Sequence, residues 1–313
     1  MECAGRSAAA TALWIVLRLG ALADSEFGCR SNTMRLGLGL TIIALLFPLL
    51  LLVAVASQDS QQSPIDISPQ EQIKAEFKSV PCKNEDRLPA VRQLFENMGA
   101  TPSDMSVEKY KNVENLVVRK QGGSQEMIVL GAHYDKVTEG CGAVDNWTGI
   151  VTLAHLYKTL RNVQIKKTIL FIAFGKEEQG LLGSRAFVGA IDKDHVTQYC
   201  EMLNLDSFGL AKPQVADNMS SMKLESLAAE VAKQMKIPFS HASIEGANGD
   251  STPFIWKKIP AITIHGLNDQ WTSILHTSKD QPAEVDPHSV YLGYRLALAM
   301  LSRLDESPCD AYR

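Results

Sequence analysis

The sequence predicts an α/β protein, a three-layer α/β/α sandwich with a largely parallel, mixed central sheet in a single domain. Short apolar runs rich in β-branched residues recur after residue 100, and longer segments with helical periodicity separate several of them. Strands that alternate with helices favour a parallel sheet with helices on both faces. The even composition of this region, without an internal repeat, indicates one domain.

Five segments have the composition of buried strands, and five have the apolar spacing of amphipathic helices. The predicted strands are 115–119, 127–131, 167–174, 202–206 and 261–265. The predicted helices are 87–97, 146–160, 181–190, 223–235 and 287–304. All ten lie after residue 86, so the predicted fold belongs to the later part of the chain.

The N-terminal part contains an apolar run at residues 36–56 that is long enough to cross a bilayer as a helix. Arg35 precedes the run, and the small residues Ala54 and Ala56 at its end are those that a signal peptidase reads. Because Met34 stands just before Arg35, we interpret residues 1–33 as an upstream extension.

Residues 34–56 are accordingly interpreted as a signal peptide or a signal anchor. The polar segment 57–68 is typical of a linker, and the folded domain is expected at 69–313. Either interpretation predicts an exported domain, secreted or periplasmic, that contacts a membrane only through residues 36–56 if these are retained.

Charge and cysteine usage limit the possible functions. The formal net charge of −4 provides no basic stripe for nucleic acid, so no nucleic-acid partner is expected. The cysteines after residue 56 are Cys82, Cys141, Cys200 and Cys309. Four cysteines in an exported domain permit two disulfides, and the sequence leaves all three pairings open.

Histidine and acidic residues follow the ends of three predicted strands. His133 and Asp135 follow the second strand, Glu177 and Glu178 follow the third, and Asp206 ends the fourth. The carboxyl ends of parallel strands meet at one edge of a sheet, which is where sites form in open α/β folds. We therefore expect these side chains to lie close together.

Two further residues complete the candidate site. Asp145 opens the predicted helix 146–160, and His276 lies in a loop before the last helix. All the candidate metal ligands are nitrogen or oxygen donors that zinc accepts. They are His133, Asp145, Glu178, Asp206 and His276. Five ligands are too many for one four-coordinate ion with an open position, so the set predicts two zinc ions per chain that share a bridging carboxylate.

Three motifs carry a resemblance to a known family. Residues 131–135 (GAHYD), 142–149 (GAVDNWTG) and 174–184 (FGKEEQGLLGS) resemble the successive signatures of the di-zinc aminopeptidase family, which includes secreted bacterial leucyl aminopeptidases and aminopeptidase Y type enzymes. Asp206 and His276 follow in the family's order. The similarity spans about residues 87–304. The three motifs together with the positions of Asp206 and His276 give five matches in order, which are a far stronger signal than any one of them.

The resemblance implies a role for each candidate residue. One zinc is held by His133 and Asp206, the other by Glu178 and His276, with Asp145 as the bridge. Glu177 is implied as the general base that activates a metal-bridging water, so the chain is expected to hydrolyse the N-terminal peptide bond of peptides with a free N-terminus. This agrees with the chemistry of paired metal ions, which acidify water and polarise a carbonyl group.

Some residues around this set carry separate expectations. Asp135 is expected to hold the second imidazole nitrogen of His133 and so to support catalysis. His265, at a strand end, is retained as a candidate pocket residue. Lys176 stands where relatives often carry glycine, and Ser251 stands where many carry histidine, which leaves the details of the substrate pocket in doubt.

Two other functions remain as alternatives. A glutaminyl-peptide cyclotransferase is similar in fold but works with one zinc, and residues 145–149 follow the peptidase form instead. A peptidase-like binding ectodomain without catalysis is the second alternative. The complete ligand set together with Glu177 argues against it.

Overall fold

A computed structural model describes residues 65–313, so the predicted extension, the predicted signal segment and most of the predicted linker lie outside the described residues. Within 65–313, none of the helices combines the length and the apolarity that crossing a membrane requires. The α-helices of this range are α1 Gln70–Glu76, α2 Asn84–Asn97, α3 Thr148–Leu160, α4 Leu182–Ala190, α5 Met222–Gln234, α6 Ser251–Trp256 and α7 Pro287–Glu306.

The centre of the described part is one eight-stranded sheet with the strand order β1-β2-β4-β3-β5-β8-β6-β7. The strands are β1 Met105–Tyr110, β2 Val113–Lys120, β3 Met127–His133, β4 Thr168–Phe174, β5 Tyr199–Leu205, β6 Gln214–Ala216, β7 Ser240–Ala242 and β8 Ala261–His265. The central strands β4, β3, β5 and β8 pair in parallel, while β1, β2 and β6 join by antiparallel pairs.

Helices cover both faces of the sheet, which confirms the predicted three-layer α/β/α sandwich. A large hydrophobic cluster on one face includes Ile150 of α3 and Leu296 of α7. A smaller cluster on the other face includes Phe187 of α4 and Phe254 of α6. Every residue of β3 and β4 is buried, as expected for strands that lie between two helical layers.

The structure corrects several predicted boundaries and adds elements. Helix α3 begins at Thr148 instead of residue 146, because Asp145 and Asn146 have non-helical backbone angles. The helices α1 and α6 and the strands β1, β6 and β7 were not predicted. The strands β6 and β7 have three residues each, too few for an alternating pattern, and β1 is a partly exposed edge strand. At the end of the predicted linker, Ser68 is fully buried and its N–H donates to Tyr294 Oη at 3.1 Å.

The disulfides are Cys82–Cys141 and Cys200–Cys309. The first joins the segment before α2 to the loop that leads to Asp145, and the second joins the start of β5 to the C-terminal segment. Each closes a long loop of chain, which limits the conformations of the unfolded state. Of the three pairings that the sequence left open, the fold therefore selects one.

Glu201 is a buried acid at the edge of the sheet opposite to the carboxyl ends of the parallel strands. Its side chain is fully buried in β5, and neither carboxylate oxygen has a hydrogen-bond partner within residues 65–313. Burial raises the pKa of Glu201 from 4.5 to about 8, and the nearby charge of Lys167 only partly opposes this effect. The folded protein therefore keeps a proton on Glu201 at pH values where the unfolded chain has lost it.

We predict that Glu201→Gln reduces the pH dependence of stability. A raised pKa in the folded state means that the stabilising contribution is complete below about pH 4.5 and is lost as the pH rises through about 8. The free energy of unfolding of Glu201→Gln minus that of the wild type should be higher at pH 8 than at pH 5 by several kcal/mol, since one unit of pKa difference corresponds to about 1.4 kcal/mol. Urea unfolding at both pH values measures this difference. Glu85→Gln, at an exposed position, is the control. A difference between Glu201→Gln and the wild type that is the same at pH 5 and pH 8 contradicts the prediction.

Candidate metal centre

The five predicted ligands come together where β3 and β5 and the turn after β4 end. His133, the last residue of β3, lies with its Nε2 3.1 Å from Asp145 Oδ1 and 3.7 Å from Asp206 Oδ1. Asp206 follows β5 and is oriented by hydrogen bonds from the side chains of Asn204 and Ser207. His133, Asp145 and Asp206 thus form a first group of donors around a common point.

A second group of donors adjoins the first. His276 Nε2 lies 3.1 Å from Asp145 Oδ2 and 3.2 Å from Glu178 Oε2. Asp145 therefore directs one carboxylate oxygen to each histidine and belongs to both groups. In each group the donor atoms lie within 4.8 Å of one another. This is the arrangement that the sequence predicts for two ions with a shared carboxylate.

Strong electrostatic interactions connect these side chains. Hydrogen bonds to Asp145 and Glu178 raise the pKa of His276 to about 10. Burial by itself lowers the pKa of His133, but the charge of Glu177 and the hydrogen bonds to Asp145 and Asp206 outweigh burial and raise it well above its ordinary value. Burial favours the neutral form of Asp145, yet both histidines together hold its pKa below the usual range. The site therefore stabilises positive charge.

The residues present fit zinc. The donors are imidazole nitrogens and carboxylate oxygens, which zinc binds. Oε1 of Glu178 is buried and has no hydrogen-bond partner among the described residues. A buried carboxylate oxygen without a partner is costly, and a bound cation would satisfy it.

Asp135 contacts the site in a different way from the predicted one. Its carboxylate accepts hydrogen bonds from the backbone N–H groups of Glu177 at 2.9 Å and Glu178 at 3.2 Å. Nδ1 of His133 lies 3.2 Å from the carbonyl oxygen of Asp135 and 3.8 Å from its carboxylate. The carboxylate is occupied by the turn after β4, so the backbone carbonyl orients the imidazole instead.

Glu177 lies beside both donor groups, and its carboxylate has no hydrogen bond to another described residue that would fix it. An oxygen of Glu177 lies within 4.8 Å of donor atoms of His133 and Glu178. Burial raises the pKa of Glu177 well above its usual value, and the negative charges of Asp250, Asp206 and Asp145 raise it further. A carboxylate with such a pKa accepts a proton readily.

The turn that carries Glu177 and Glu178 depends on unusual backbone geometry. Lys176 has a φ of 56°, in the left-handed region where glycine is favoured, which explains why relatives often have glycine there. At the preceding Gly175, a Cβ atom would lie 2.5 Å from the carbonyl oxygen of Glu114 and 2.6 Å from Tyr134 Oη. The turn therefore packs tightly against the start of β2 and the end of β3.

Two side chains that the sequence did not single out hold Asp145 in place. Asp280 accepts hydrogen bonds from the N–H groups of Val144 at 2.7 Å and Asp145 at 3.1 Å. The side chain of Asn146 donates to the carbonyl of Leu205 at 2.9 Å, and its oxygen accepts from the N–H of Ser207. The peptide bond between Asp145 and Asn146 is cis. Asn146 belongs to the motif at residues 142–149, although no role was assigned to it, whereas no local pattern distinguishes Asp280 from other polar loop residues.

A cavity of about 540 Å³ opens above the two donor groups. Its walls are largely apolar and include Leu181, Met219, Ile244, Leu267, Trp271 and Leu275. His265, the candidate pocket residue, also lines it; Nδ1 accepts from the N–H of Leu267 at 3.2 Å, and burial lowers the pKa of His265 to about 4. Ser251 is buried and bonds to Met219 and Thr263, so it lies outside both donor groups.

Comparison with known proteins identifies one family. The model of peptidase family M28 matches residues 115–300, which contain all five predicted ligands. Aminopeptidase YwaD of Bacillus subtilis is 31% identical over 160 residues, which cover 48% of this chain and 32% of that protein. The chain thus spans about a third of the length of this relative.

Solved structures share the fold at low sequence identity. A zinc aminopeptidase from Bacillus subtilis has a TM-score of 0.56 and 21% identity, with 64% of this chain and 52% of that chain covered. A glutaminyl cyclase from an Acidobacteriales bacterium has a TM-score of 0.63 and 18% identity, with 79% of this chain and 99% of that chain covered. At these identities the likeness concerns the fold, which an aminopeptidase and a cyclase share.

Proposed function

This chain belongs to peptidase family M28, and on that basis we propose that it is a zinc-dependent aminopeptidase that hydrolyses the N-terminal peptide bond of peptides. The observation that carries the proposal is Asp145, whose two carboxylate oxygens each lie 3.1 Å from a different histidine. One shared carboxylate between two donor groups suits a pair of ions and exceeds what a single ion requires.

The proposed site would take two zinc ions. His133, Asp145 and Asp206 would hold one ion, and Asp145, Glu178 and His276 would hold the other. When bound, the ions lower the pKa of water and polarise the carbonyl group of the scissile bond.

Glu177 is the proposed general base. It takes a proton from the attacking water and delivers it to the leaving amine, as a carboxylate beside the reacting atoms does in other hydrolases. Asp135 supports this role, because its carboxylate accepts the N–H groups of both Glu177 and Glu178 and so fixes the backbone of the turn. With the backbone fixed, Glu178 is directed to His276 and Glu177 remains available for proton transfer.

The main alternative is a glutaminyl-peptide cyclotransferase that works with one zinc. Residues 145–149, which follow the peptidase form, argue against it. So do two donor groups that share Asp145, because one ion needs only one such group. An inactive binding ectodomain is the other alternative. A complete donor set with a free carboxylate beside it has no evident use in such a domain.

Metal analysis together with two activity assays tests the proposal. We expect two zinc ions per chain, hydrolysis of aminoacyl-nitroanilides, and loss of that activity after chelation with recovery on addition of zinc. The control is the same preparation assayed for cyclisation of peptides with N-terminal glutamine. One tightly bound zinc with cyclisation activity would replace the aminopeptidase by the cyclotransferase, and bound metal with neither activity would favour the ectodomain.

Substitution of each paired glutamate separates proton transfer from metal binding. Glu177→Gln keeps the shape of the side chain and removes the base, so both zinc ions should remain while kcat falls by about 10²–10⁴-fold with little change in KM. Glu178→Ala should lower the zinc content, with loss of activity as a consequence. Zinc content measured beside kinetics for both variants distinguishes the roles. Loss of metal in Glu177→Gln, with retention in Glu178→Gln, would mean that the two roles are reversed.

We also propose that the domain is exported by the segment 34–56, as a secreted or periplasmic protein. The support is the apolar run 36–56 with Arg35 before it and Ala54 and Ala56 at its end. The Cys82–Cys141 and Cys200–Cys309 disulfides agree with an oxidising compartment.

N-terminal sequencing of the protein from its native host tests the export proposal. Cleavage after Ala56 should give a mature chain that begins at Ser57. A chain that retains residues 36–56 and fractionates with membranes would support the signal anchor, and a full-length chain in the cytosol would contradict export.

A further inference from the structure

We propose that Arg87 of helix α2 is a positioning residue that fixes the two backbone segments next to His133 and Asp145 in the geometry that metal binding requires. This inference rests on the proposed function. It assigns a task to a residue that contacts no substrate and no metal ligand side chain directly.

Arg87 is fully buried, and each of its N–H groups is directed to a backbone carbonyl. A guanidinium has five N–H donors in a rigid plane, and five carbonyl oxygens accept from it here. They belong to Pro81 (3.0 Å), Tyr134 (2.9 Å), Asp135 (3.4 Å), Cys141 (2.5 Å) and Gly142 (2.7 Å). The donor capacity of the side chain is therefore fully used.

These carbonyls lie on two segments that carry metal ligands. Residues 134–135 directly follow His133, and residues 141–142 come shortly before Asp145. One rigid guanidinium thus sets the distance between the segment that ends β3 and the segment that leads into Asp145. Because the carboxylate of Asp135 also accepts the N–H groups of Glu177 and Glu178, the same interaction extends to the turn after β4.

The loop next to Arg87 is shaped around the guanidinium. Gly142 has a φ of 57°, and a Cβ atom added there would lie 2.8 Å from Nη2 of Arg87. Asn84, one turn earlier in α2, forms a second contact with the same region, since its side chain donates to the carbonyl of Lys136 and accepts from its N–H. The first turn of α2 therefore contacts the loop 134–142 at several points, and the Cys82–Cys141 disulfide links the segment before α2 covalently to the same loop.

A lysine could not replace these contacts. Its ammonium group has three donors at a single point, whereas the carbonyls around Arg87 are spread over the plane of the guanidinium. The charge of Arg87 is compensated at longer range by the carboxylates of the site, Asp145, Asp280, Asp135 and Glu178, while burial lowers its pKa to about 10. Arg87 therefore remains a cation at neutral pH, and the face of Trp147 lies 5.7 Å from it.

A purely structural role is the competing explanation, and Lys167 provides the matched comparison. It is also a buried cation, and within the part of the chain that the structure describes its Nζ donates to the carbonyls of Leu304, Asp305 and Ser307. Lys167 precedes β4, at the edge of the sheet opposite to the metal centre. Its removal should lower the stability of the fold without moving any of the five ligands.

The test measures zinc affinity in the full chain, by competition with a chelator, for Arg87→Lys, Arg87→Met and Lys167→Met. The unfolding temperature of each zinc-free protein is measured in parallel. Substitution of residues that orient metal ligands commonly lowers metal affinity by about 10–100-fold, and we expect a loss of this size in both Arg87 variants. Lys167→Met should unfold at a lower temperature but bind zinc within about twofold of the wild type.

Zinc affinity unchanged in Arg87→Lys, with a stability loss like that of Lys167→Met, would overturn the inference and leave Arg87 a structural residue. Arg87→Lys keeps the charge and the aliphatic stem, so it decides the question if Arg87→Met does not fold. An equal loss of zinc affinity in Lys167→Met would also overturn it, because the effect would then follow stability alone. If the wild type itself binds no zinc, the proposed function fails. If the wild type and the Arg87 variants bind zinc equally tightly, only the inference about Arg87 fails.

Discussion

The carboxylate of Asp145 between two histidines is the interaction on which the rest of the site depends. Each of its oxygens lies 3.1 Å from one imidazole nitrogen, so the donor groups of His133 and His276 meet at this side chain. A carboxylate is able to serve two partners only if its backbone is held firmly. Asp280 supplies this through two hydrogen bonds to the N–H groups of Val144 and Asp145.

The second constraint is the repulsion among acidic groups in a small volume. Asp250 is fully buried near Glu177 and Asp206, and burial raises its pKa to about 7. The same crowding raises the pKa of Glu177 and of the histidines that lie among the carboxylates. Such a site gains stability from any cation it takes up, and bound zinc would displace the protons that the histidines hold.

The rigid part of the fold and the residues of the site lie in different segments, the first in buried strands and the second mostly in the loops that follow them. The strands β3 and β4 are buried along their whole length and fix the points at which His133 and the turn of Glu177 begin. The loops beyond them are irregular, and hydrogen bonds between the backbone and the side chains of Arg87 and Asn146, which donate, and of Asp280, which accepts, take the place of regular structure. A loop with buried backbone groups requires partners of this kind.

The sequence by itself determined the fold class, the order of the central strands along the chain and the candidate ligands. Apolar periodicity is a local property, and a histidine or acid at a strand end is visible in the sequence when the strand is. The tertiary structure alone decided the pairing of the cysteines, the contact of the Asp135 carboxylate with the turn after β4, and the contacts of Arg87 and Asp280 with the backbone around the site. Each of these depends on groups far apart in sequence, such as Arg87 and Cys141, whose contact exists only after the chain has packed.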